Sequence, residues 1–459
     1  MVSIQDQNDP SYNVHTRENN LTPTDPQAPQ PSIDNISDVE AVQPNMSNFR
    51  RYCILFIISL ASILPGLSST VYLPALPTVS EEFRVSNALT NTTVSLFILF
   101  MGIAPIFWSS ASDYLRIRKI FFLVSIAIYI IVSIGAGLVH HIALLVVLRC
   151  IQSVGASAPM TLGAGTIEEL WEPHERGTAF GFFFLGAFLG PVFGPIVGGA
   201  LTQAFGWRST FYFSAAMGGV CFLGVLIIFP WESPRSKEVG RFNPLAALSS
   251  LRYSIVMAMS LEIGITFGTL FAMETVIPTL FERAYHLNSL QTGLCYLGAG
   301  LGSTIGSTVS GRLADFAHQR SAKPQPEDRI WWHTWIGGAV IAPFGTLLFG
   351  WSVYAQMHLA VPIVAFTIAN FGLAQVFSTA STYLVDIAKG KGSSITSASN
   401  MLRMVMAAIL SVISDPIVSS INEGYFSLIL CLLNYIGIGL LLYVKTRGEK
   451  IRQIKMTDI

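Results

Sequence analysis

The sequence predicts an all-α polytopic membrane protein with twelve transmembrane helices in two six-helix halves, and three observations support this. Of the 459 residues, 51% are hydrophobic and only 12% are charged, which is about half the charge of an ordinary soluble domain. Twelve apolar stretches follow residue 52, each long enough to cross a hydrocarbon core of about 30 Å. Short motifs recur 201 or 202 residues apart, which indicates that the halves are pseudo-symmetric.

The first 49 residues differ from the rest of the chain. They are rich in Asn, Asp, Gln, Pro and Ser, and Arg17 is their only basic residue apart from His15. Because they contain no apolar segment, we expect residues 1–49 to be a disordered cytoplasmic tail and not a cleaved signal peptide.

The apolar stretches set the predicted order of elements. They cover residues 52–73, 88–108, 119–138, 142–164, 177–202, 209–230, 253–280, 290–314, 331–350, 358–386, 395–420 and 424–446. We therefore expect a first six-helix half at 50–230, a central cytoplasmic loop at 231–252, a second half at 253–446 and a cytoplasmic tail at 447–459.

The distribution of Lys and Arg predicts the orientation. With the N-terminus placed inside, the inside segments near the membrane contain 21 Lys and Arg residues, whereas the outside turns contain only Arg84, Arg208 and Arg283. Basic residues accumulate on the cytoplasmic side of a membrane protein. Both termini are therefore predicted to be cytoplasmic, which requires an even number of spans.

Two sets of residues carry the internal repeat. Pro77-Thr78 followed by Glu81 matches Pro278-Thr279 followed by Glu282 at an offset of 201, and Asp113 matches Asp315 at an offset of 202. Both halves are thus expected to run helix, Pro-Thr turn, helix and then a charged cytoplasmic turn. Substrate sites of transporters built from such repeats lie midway between the repeats.

Small residues recur in the fifth stretch at the spacing of one helical face. Their backbone permits close approach of another helix in lipid, and each proline removes one helix hydrogen bond. The residues are Gly186, Gly190, Pro191, Gly194, Pro195, Gly198 and Gly199. This string resembles the antiporter motif of proton-coupled exporters in the major facilitator superfamily, although a single pair of such glycines would indicate only a packing face.

With Pro74, Pro77 and the Gly206-Trp207-Arg208 turn, the resemblance extends over residues 50–446, to fungal twelve-span drug–proton antiporters. It implies the major facilitator fold.

The fourth stretch contains an arginine inside apolar sequence. Arg149-Cys150-Ile151-Gln152-Ser153-Val154-Gly155-Ala156 resembles the family pattern R-x-x-Q-G-x-G-A, with serine at the first glycine. An arginine at membrane depth costs about 2.5–3.5 kcal/mol on insertion scales, so it should face a cavity or a partner. The resemblance places Arg149 and Gln152 on a proton or substrate pathway. The alternative is that Arg149 extends to the outside turn near His141.

Two carboxylates in the seventh stretch are candidates for carrying a proton. Glu262 and Glu274 are 12 residues apart, or about 120° around a helix, so they do not share one face. Glu262 is mid-span and is the stronger candidate, whereas Glu274 is expected nearer the outer mouth. We expect Arg149 to act electrostatically on one of these acids, with Glu262 as first choice.

Three further polar residues are predicted on the pathway: Asn370 and Gln375 in the tenth stretch and Arg403 in the eleventh. An anionic metabolite would be held by Arg149 and Arg403, and an organic cation by Glu262 and aromatic side chains. The sequence leaves both possibilities open.

The turn after the second stretch resembles the family's G-x-x-x-D-R-x-G-R-[RK] motif. Asp113 and Arg118 match it, but Ser109 replaces the first glycine, and the copy in the second half, Gly311-Arg312-Leu313-Ala314-Asp315, is better preserved. A carboxylate at a helix end accepts charge-assisted hydrogen bonds. The resemblance therefore implies a cytoplasmic gate; the alternative is a solvated turn whose charges only set topology.

Composition and motifs favour transport over other functions. The formal net charge is zero, the five cysteines have no paired spacing, and the eight histidines lie in the tail, in turns or at helix ends. We therefore expect no nucleic-acid partner, no metal site and no multispan enzyme. A channel would be expected to show a selectivity loop or charge ring, and a receptor is disfavoured by the even span count.

The resulting expectation is a monomeric exporter of a drug, secondary metabolite or organic acid. Its partners would be the substrate, protons and the lipid bilayer, with the proton gradient in place of a cofactor. An importer or facilitator is the alternative function. The plasma membrane is the expected location, with the vacuolar membrane as the alternative.

Overall fold

The computed structural model describes residues 47–115, 118–171, 175–229, 246–321, 325–387 and 392–455. Most of the predicted disordered tail and residues 231–245 of the predicted central loop lie outside these ranges. Every regular element within them is helical, which confirms the predicted all-α class.

The α-helices follow one another in the predicted order. They are α1 (Asn48–Thr70), α2 (Leu76–Phe83), α3 (Asn87–Leu115), α4 (Arg118–Gly137), α5 (Ile142–Leu170), α6 (Arg176–Phe205), α7 (Arg208–Ile228), α8 (Ser254–Tyr285), α9 (Ser289–Arg320), α10 (Trp332–Ile336), α11 (Ala342–Tyr354), α12 (Ala360–Asp386), α13 (Gly392–Ile421) and α14 (Glu423–Lys455). A π-helix at Gly337–Ile341 joins α10 to α11.

Within the described ranges, eleven helical stretches are long and apolar enough to cross a membrane. The remaining long helix, α9, contains many Gly, Ser and Thr residues, which lowers its mean hydropathy. It nevertheless packs along α12 and α6. The described part of the chain therefore forms twelve long helical rods, with α1 and α2 forming one and α10 and α11 another.

The two halves pair their helices in the same way. In the first half α1 packs on α6, α3 on α5 and α4 on α7; in the second half α8 packs on α13, α9 on α12 and α11 on α14. Contacts between the halves follow the same two-fold pattern, because α3 packs on α13 and α6 packs on α9. This arrangement confirms the pseudo-symmetric fold, while the exact domain boundaries stay a prediction.

The buried apolar side chains divide differently at the two ends of the bundle. At the end that carries residues 71–85 and 203–210, here the joined end, one core contains Tyr72 and Phe211 together with Phe281 and Phe366 of the second half. At the opposite end, which carries residues 113–115, 118–119 and 325–331 and is here the split end, each half has its own core. The halves are therefore held together by shared apolar packing at one end.

Several helices continue past the predicted spans at the split end. Helix α3 ends at Leu115 instead of 108, α5 at Leu170 instead of 164 and α9 at Arg320 instead of 314. Helix α14 continues to Lys455, through most of the predicted 447–459 tail. Hydropathy detects only the apolar part of a helix, so it cannot detect polar turns that continue beyond the membrane core.

The predicted Pro-Thr turn of the second half is wrong, because Pro278 lies inside α8. Proline cannot donate the hydrogen bond to the carbonyl four residues earlier, here that of Glu274. The hydroxyl of Tyr296 on α9 donates to this carbonyl at 2.5 Å. Pro343 repeats the arrangement, since the Tyr435 hydroxyl donates to the Ala339 carbonyl at 3.0 Å. Each such bond contributes about 1 kcal/mol.

Candidate functional site

Arg149 lies inside the first half and is only 1% exposed. Its Nη1 donates to the Ser68 carbonyl on α1 at 3.0 Å and to Gln152 Oε1 at 2.9 Å. The guanidinium carbon lies 4.1 Å from the ring centroid of Phe97, 5.2 Å from that of Tyr72 and 5.8 Å from that of Phe211. Cation–π contacts of this kind contribute about 0.5–2 kcal/mol each. Nε and Nη2 have no hydrogen-bond partner among the described residues, so the rings supply the remaining contacts to the charge. Arg149 therefore connects α5 to α1, α3 and α7.

Further hydrogen bonds fix the partners of Arg149. Gln152 Nε2 donates to Ser133 Oγ on α4 at 2.7 Å, which directs its Oε1 towards Arg149. Ser68 Oγ and the Tyr129 hydroxyl are 2.6 Å apart. Both oxygens belong to buried residues, so their mutual hydrogen bond avoids an unsatisfied polar group. Arg149 is thus held by four helices and does not extend to the turn near His141.

The glycines of the fifth stretch face α1. A Cβ at Gly190 would lie 2.7 Å from the Leu67 amide nitrogen and 2.8 Å from the Ile63 carbonyl oxygen. Gly186 and Gly194 likewise face α1, and Gly198 faces the backbone of Val71 directly after α1. We call these four glycines of α6 the glycine flank. Gly199 faces the start of α9 in the other half, where a Cβ would lie 3.0 Å from the Leu290 Cα. Helix α6 therefore approaches two helices at backbone distance.

A second glycine series lies on α9 and was not among the residues predicted from the sequence. Gly298, Gly302 and Gly306 recur every fourth residue, and a Cβ at Gly306 would lie 3.1 Å from the Phe371 Cα on α12. The spacing was visible in the sequence. It lacked the prolines that made the α6 string distinctive, and the low hydropathy of α9 obscured it.

Arg403 lies in the second half and is half-buried. Its guanidinium carbon is 4.5 Å from the ring centroid of Phe267 on α8 and 5.4 Å from that of Phe377 on α12. Its Nη2 donates to Asn400 Oδ1 at 2.5 Å. Its Nε is buried and has no hydrogen-bond partner among the described residues.

Glu262 is fully buried on α8 and lies apart from Arg149. Its Oε1 accepts a hydrogen bond from Thr266 at 2.7 Å, whereas Oε2 has no partner among the described residues. The carboxylate lies beside α14, because a Cβ at Gly437 would be 3.9 Å from Oε1. The expected direct pairing with Arg149 is therefore absent in this conformation. The two residues belong to different halves, and periodicity within single helices cannot predict which helices meet.

The other candidate polar residues of α8 and α12 face neighbouring helices. Glu274 is 8% exposed, and its carbonyl is the one that Tyr296 binds. Asn370 Nδ2 donates to its own helix at Phe366, and its Oδ1 accepts from Ser303 on α9 at 3.3 Å. Gln375 packs against the π-helix, since a Cβ at Gly337 would be 3.0 Å from the Gln375 Cβ. Roles of these three in transport stay predictions.

The split end of the first half contains a partly buried ion pair. Arg118 Nε donates to Glu169 Oε1 at 2.9 Å, and Arg118 Nη1 donates to the Leu162 carbonyl at 3.0 Å. Asp113 lies near the end of α3, but its side chain is outside the described part of the structure. Lys119 donates to the carbonyls of Leu226 and Phe229 at 2.8 and 2.7 Å. These contacts connect α4 to α5 and to the end of α7.

The equivalent contact in the second half is centred on Arg329, which no sequence motif singled out. Arg329 forms ion pairs with Asp315 on α9 and Asp386 at the end of α12. Burial acts against its charge, but the hydrogen bonds to Asp315 and Asp386 and their negative charges outweigh burial and raise the pKa of Arg329. Of the predicted gate residues here, Asp315 joins this cluster. Arg312 is exposed, and Gly311 has open space where a Cβ would lie.

His333 lies at a helix end, as expected, but it is buried. His333 is 2% exposed, and its Nε2 lies 3.4 Å from Ser310 Oγ, 3.2 Å from Thr334 Oγ1 and 3.4 Å from Thr379 Oγ1. Its Nδ1 has no hydrogen-bond partner among the described residues. The sequence predicted only a residue at a helix end. The hydroxyls come from three separate helical segments, so no local pattern predicted their convergence.

Comparison with known proteins finds similarity to transporters of one superfamily. A sequence profile of the Major Facilitator Superfamily matches residues 58–411. The MFS transporter fsa7 of Fusarium sp. (strain FN080326) is 29% identical over 90% of this chain and 88% of its own length. Citrate exporter 1 of Aspergillus niger is 28% identical over 87% of this chain and 86% of its own length.

A solved structure has the same fold. The crystal structure of a bacterial homologue of the human lysosomal transporter Spinster, inward-facing and unoccupied, matches with a TM-score of 0.63 and 15% identity. The match covers 87% of this chain and 95% of that chain.

Proposed function

The chain belongs to the Major Facilitator Superfamily, and we propose that it exports a small organic molecule by proton antiport with alternating access. The substrate would be a drug, a secondary metabolite or an organic acid. We place the protein in the plasma membrane with the split end and both termini in the cytoplasm; the vacuolar membrane is the alternative.

The glycine flank of α6 is the observation that carries this proposal. Its sequence resembles the antiporter motif, and the flank brings α6 against α1 so closely that a Cβ at Gly190 would lie 2.7 Å from the Leu67 nitrogen. Such a contact leaves no space for water or substrate between the helices. Exclusion of leaks is what keeps proton flow coupled to substrate movement.

The distribution of core and charge supports alternating access. The halves share one apolar core at the joined end and have separate cores at the split end. The Arg118–Glu169 pair lies within the first half and the Arg329 pairs lie within the second. The halves can therefore separate at the split end without breaking these ion pairs. Rocking about a central site is the usual motion of this architecture.

Glu262 is the proposed proton carrier. The carboxyl is fully buried and has only the Thr266 hydroxyl as a hydrogen-bond partner among the described residues. An ionised group is expensive to bury without a counter-charge, so proton uptake and release at this position would couple to any movement that changes its access to water. His333 is a second titratable group of the same half.

Transport in reconstituted vesicles tests the proposal. Vesicles oriented with the split end facing the bath, as checked by protease access to a C-terminal tag, would be given citrate, 2-naphthoate or rhodamine 6G. An acidic lumen should drive at least one of these compounds into the lumen above its bath concentration, and a protonophore should abolish the accumulation.

The alternatives give different results in the same vesicles. A facilitator would equilibrate the compound whether or not a gradient is present. A proton-coupled importer would move it out of the acidic lumen into the bath. Either result contradicts the proposal. The proposal is also contradicted if none of the three probes shows proton-driven movement.

A further inference from the structure

Arg403 occupies the middle of α13, beside the contact between the halves. It is eleven residues from the start of the helix at Gly392 and eighteen from its end at Ile421. The next residue, Met404, meets α3 of the first half, since a Cβ at Gly102 would lie 3.0 Å from Met404 Cγ. Arg403 itself remains half-buried. It is therefore near the boundary along which a substrate would pass between the halves.

The guanidinium of Arg403 has unused hydrogen-bonding capacity. The group carries five N–H donors, and the hydrogen bond that the structure identifies goes to Asn400 on its own helix. The Nε is buried without a partner, and no ion pair joins Arg403 to a carboxylate of the described residues. A positive charge at membrane depth normally has a partner, so an anionic group is the missing complement.

Two aromatic rings define the rest of the site. The centroids of Phe267 and Phe377 are 6.0 Å apart and their planes are tilted by 31°, and both rings lie within about 5.5 Å of the guanidinium carbon. The rings offer an apolar surface beside the charge. A ligand with a planar or apolar body and a carboxylate would use both features, and a cation would be repelled.

We propose that Arg403, Phe267 and Phe377 form the substrate site of this transporter and that the substrate is an organic carboxylate with an apolar portion. The inference rests on the proposed transport function and names its substrate class. Arg149 is closed to such a ligand in this conformation, because it is 1% exposed and held by Ser68 and Gln152.

Binding to the purified protein tests the proposal separately from transport. The shift in the thermal unfolding midpoint would be titrated with 2-naphthoate, 2-naphthamide and (2-naphthyl)methylammonium at constant ionic strength. These probes share one ring system and differ in charge. We expect naphthoate to stabilise the protein with a half-saturating concentration at least about tenfold below those of the other two. Equal or stronger stabilisation by the amide or the ammonium compound, or no shift with naphthoate, overturns the proposal.

Variants then locate the site. Arg403→Gln should raise the half-saturating naphthoate concentration by about tenfold or more, and Arg403→Lys by less, because a charge remains. Phe377→Leu should weaken binding without changing the preference for the anion. Arg447→Gln, which removes one exposed arginine from α14, is the matched control and should bind normally.

An unchanged naphthoate shift in both Arg403 variants overturns the proposed site. If Arg403→Gln fails to fold, the Lys and Leu variants and the charge series on the wild-type protein still support or overturn it. Proton-driven transport of rhodamine 6G without naphthoate binding would overturn the substrate class and leave the proposed antiport intact.

Discussion

The two halves of the bundle each contain an arginine at membrane depth, and the surroundings of the two differ. Arg149 is closed in by Phe97, Tyr72 and Phe211 and binds acceptors on α1 and α5. Arg403 is half-buried and has one identified hydrogen bond, to Asn400. No ion pair joins either residue to a carboxylate of the described chain.

An arginine inside a membrane helix therefore does not by itself indicate one particular role. The free energy of placing a guanidinium inside the membrane is similar at both positions. The protein contacts that offset this free energy differ between the two positions. Protein groups from four helices surround Arg149, so its charge serves to hold α1, α3, α5 and α7 as one unit. Arg403 has two ring contacts and one identified hydrogen bond and is more exposed, which is why we propose that its charge is available to a ligand.

The largest expected effect comes from disturbing the support of Arg149. Gly190→Leu places a side chain against Leu67, next to the Ser68 carbonyl that binds Arg149. Overpacking of this kind costs about 1–3 kcal/mol or more. We expect proton-driven transport in vesicles to fall by about tenfold or more, because the helix contact and the Arg149 hydrogen bond are disturbed together.

The matched control for Gly190→Leu is Gly181→Leu on the same helix. A Cβ at Gly181 meets nothing within 4 Å, so the variant should reach the membrane and work normally. Normal transport by Gly190→Leu would show that the close contact between α6 and α1 has no functional role. It would also contradict the structural role that the comparison with Arg403 assigns to Arg149.

A more selective effect, on uphill transport but not on exchange, is expected at Glu262. Glu262→Gln imitates the protonated carboxyl and keeps an acceptor for Thr266. We expect uphill transport to fall about tenfold or more, while exchange of substrate between equally acidic sides stays within about threefold of normal. Glu81→Gln, at an exposed position, is the control. Uphill transport by Glu262→Gln at the normal rate would exclude Glu262 as the proton carrier, and His333→Gln would then be measured in the same way.

Most of the fold followed from local sequence. Runs of apolar residues predicted every long helix to within a few residues at the joined end, because crossing a membrane imposes a fixed apolar length. The glycine spacing of α6 predicted a close helix contact. An exception arose at Pro278, which lies within α8, where Tyr296 satisfies the carbonyl that the proline leaves free.

Only part of the candidate site could be predicted from the sequence. Arg149, Glu262 and Arg403 were recognisable as polar groups in apolar helices. Whether each one had a partner depended on residues from other helices, such as Ser68 for Arg149 and Phe377 for Arg403. The expected pairing of Arg149 with Glu262 failed for this reason. Arg329 and His333 were missed because their contacts join segments that are far apart in the chain.

A paired substitution tests the contrast between the two arginines most directly. Arg149→Lys and Arg403→Lys would be compared in vesicles by the maximal rate and half-saturating concentration of 2-naphthoate exchange. Lysine keeps the charge but lacks the planar fork. We expect Arg403→Lys to raise the half-saturating concentration by about fivefold and to keep the maximal rate, because substrate binding is weakened. Arg149→Lys should instead lower the maximal rate by about tenfold with an unchanged half-saturating concentration, because the moving unit is disturbed. The opposite assignment, or the same change in both variants, would contradict the proposed division of roles.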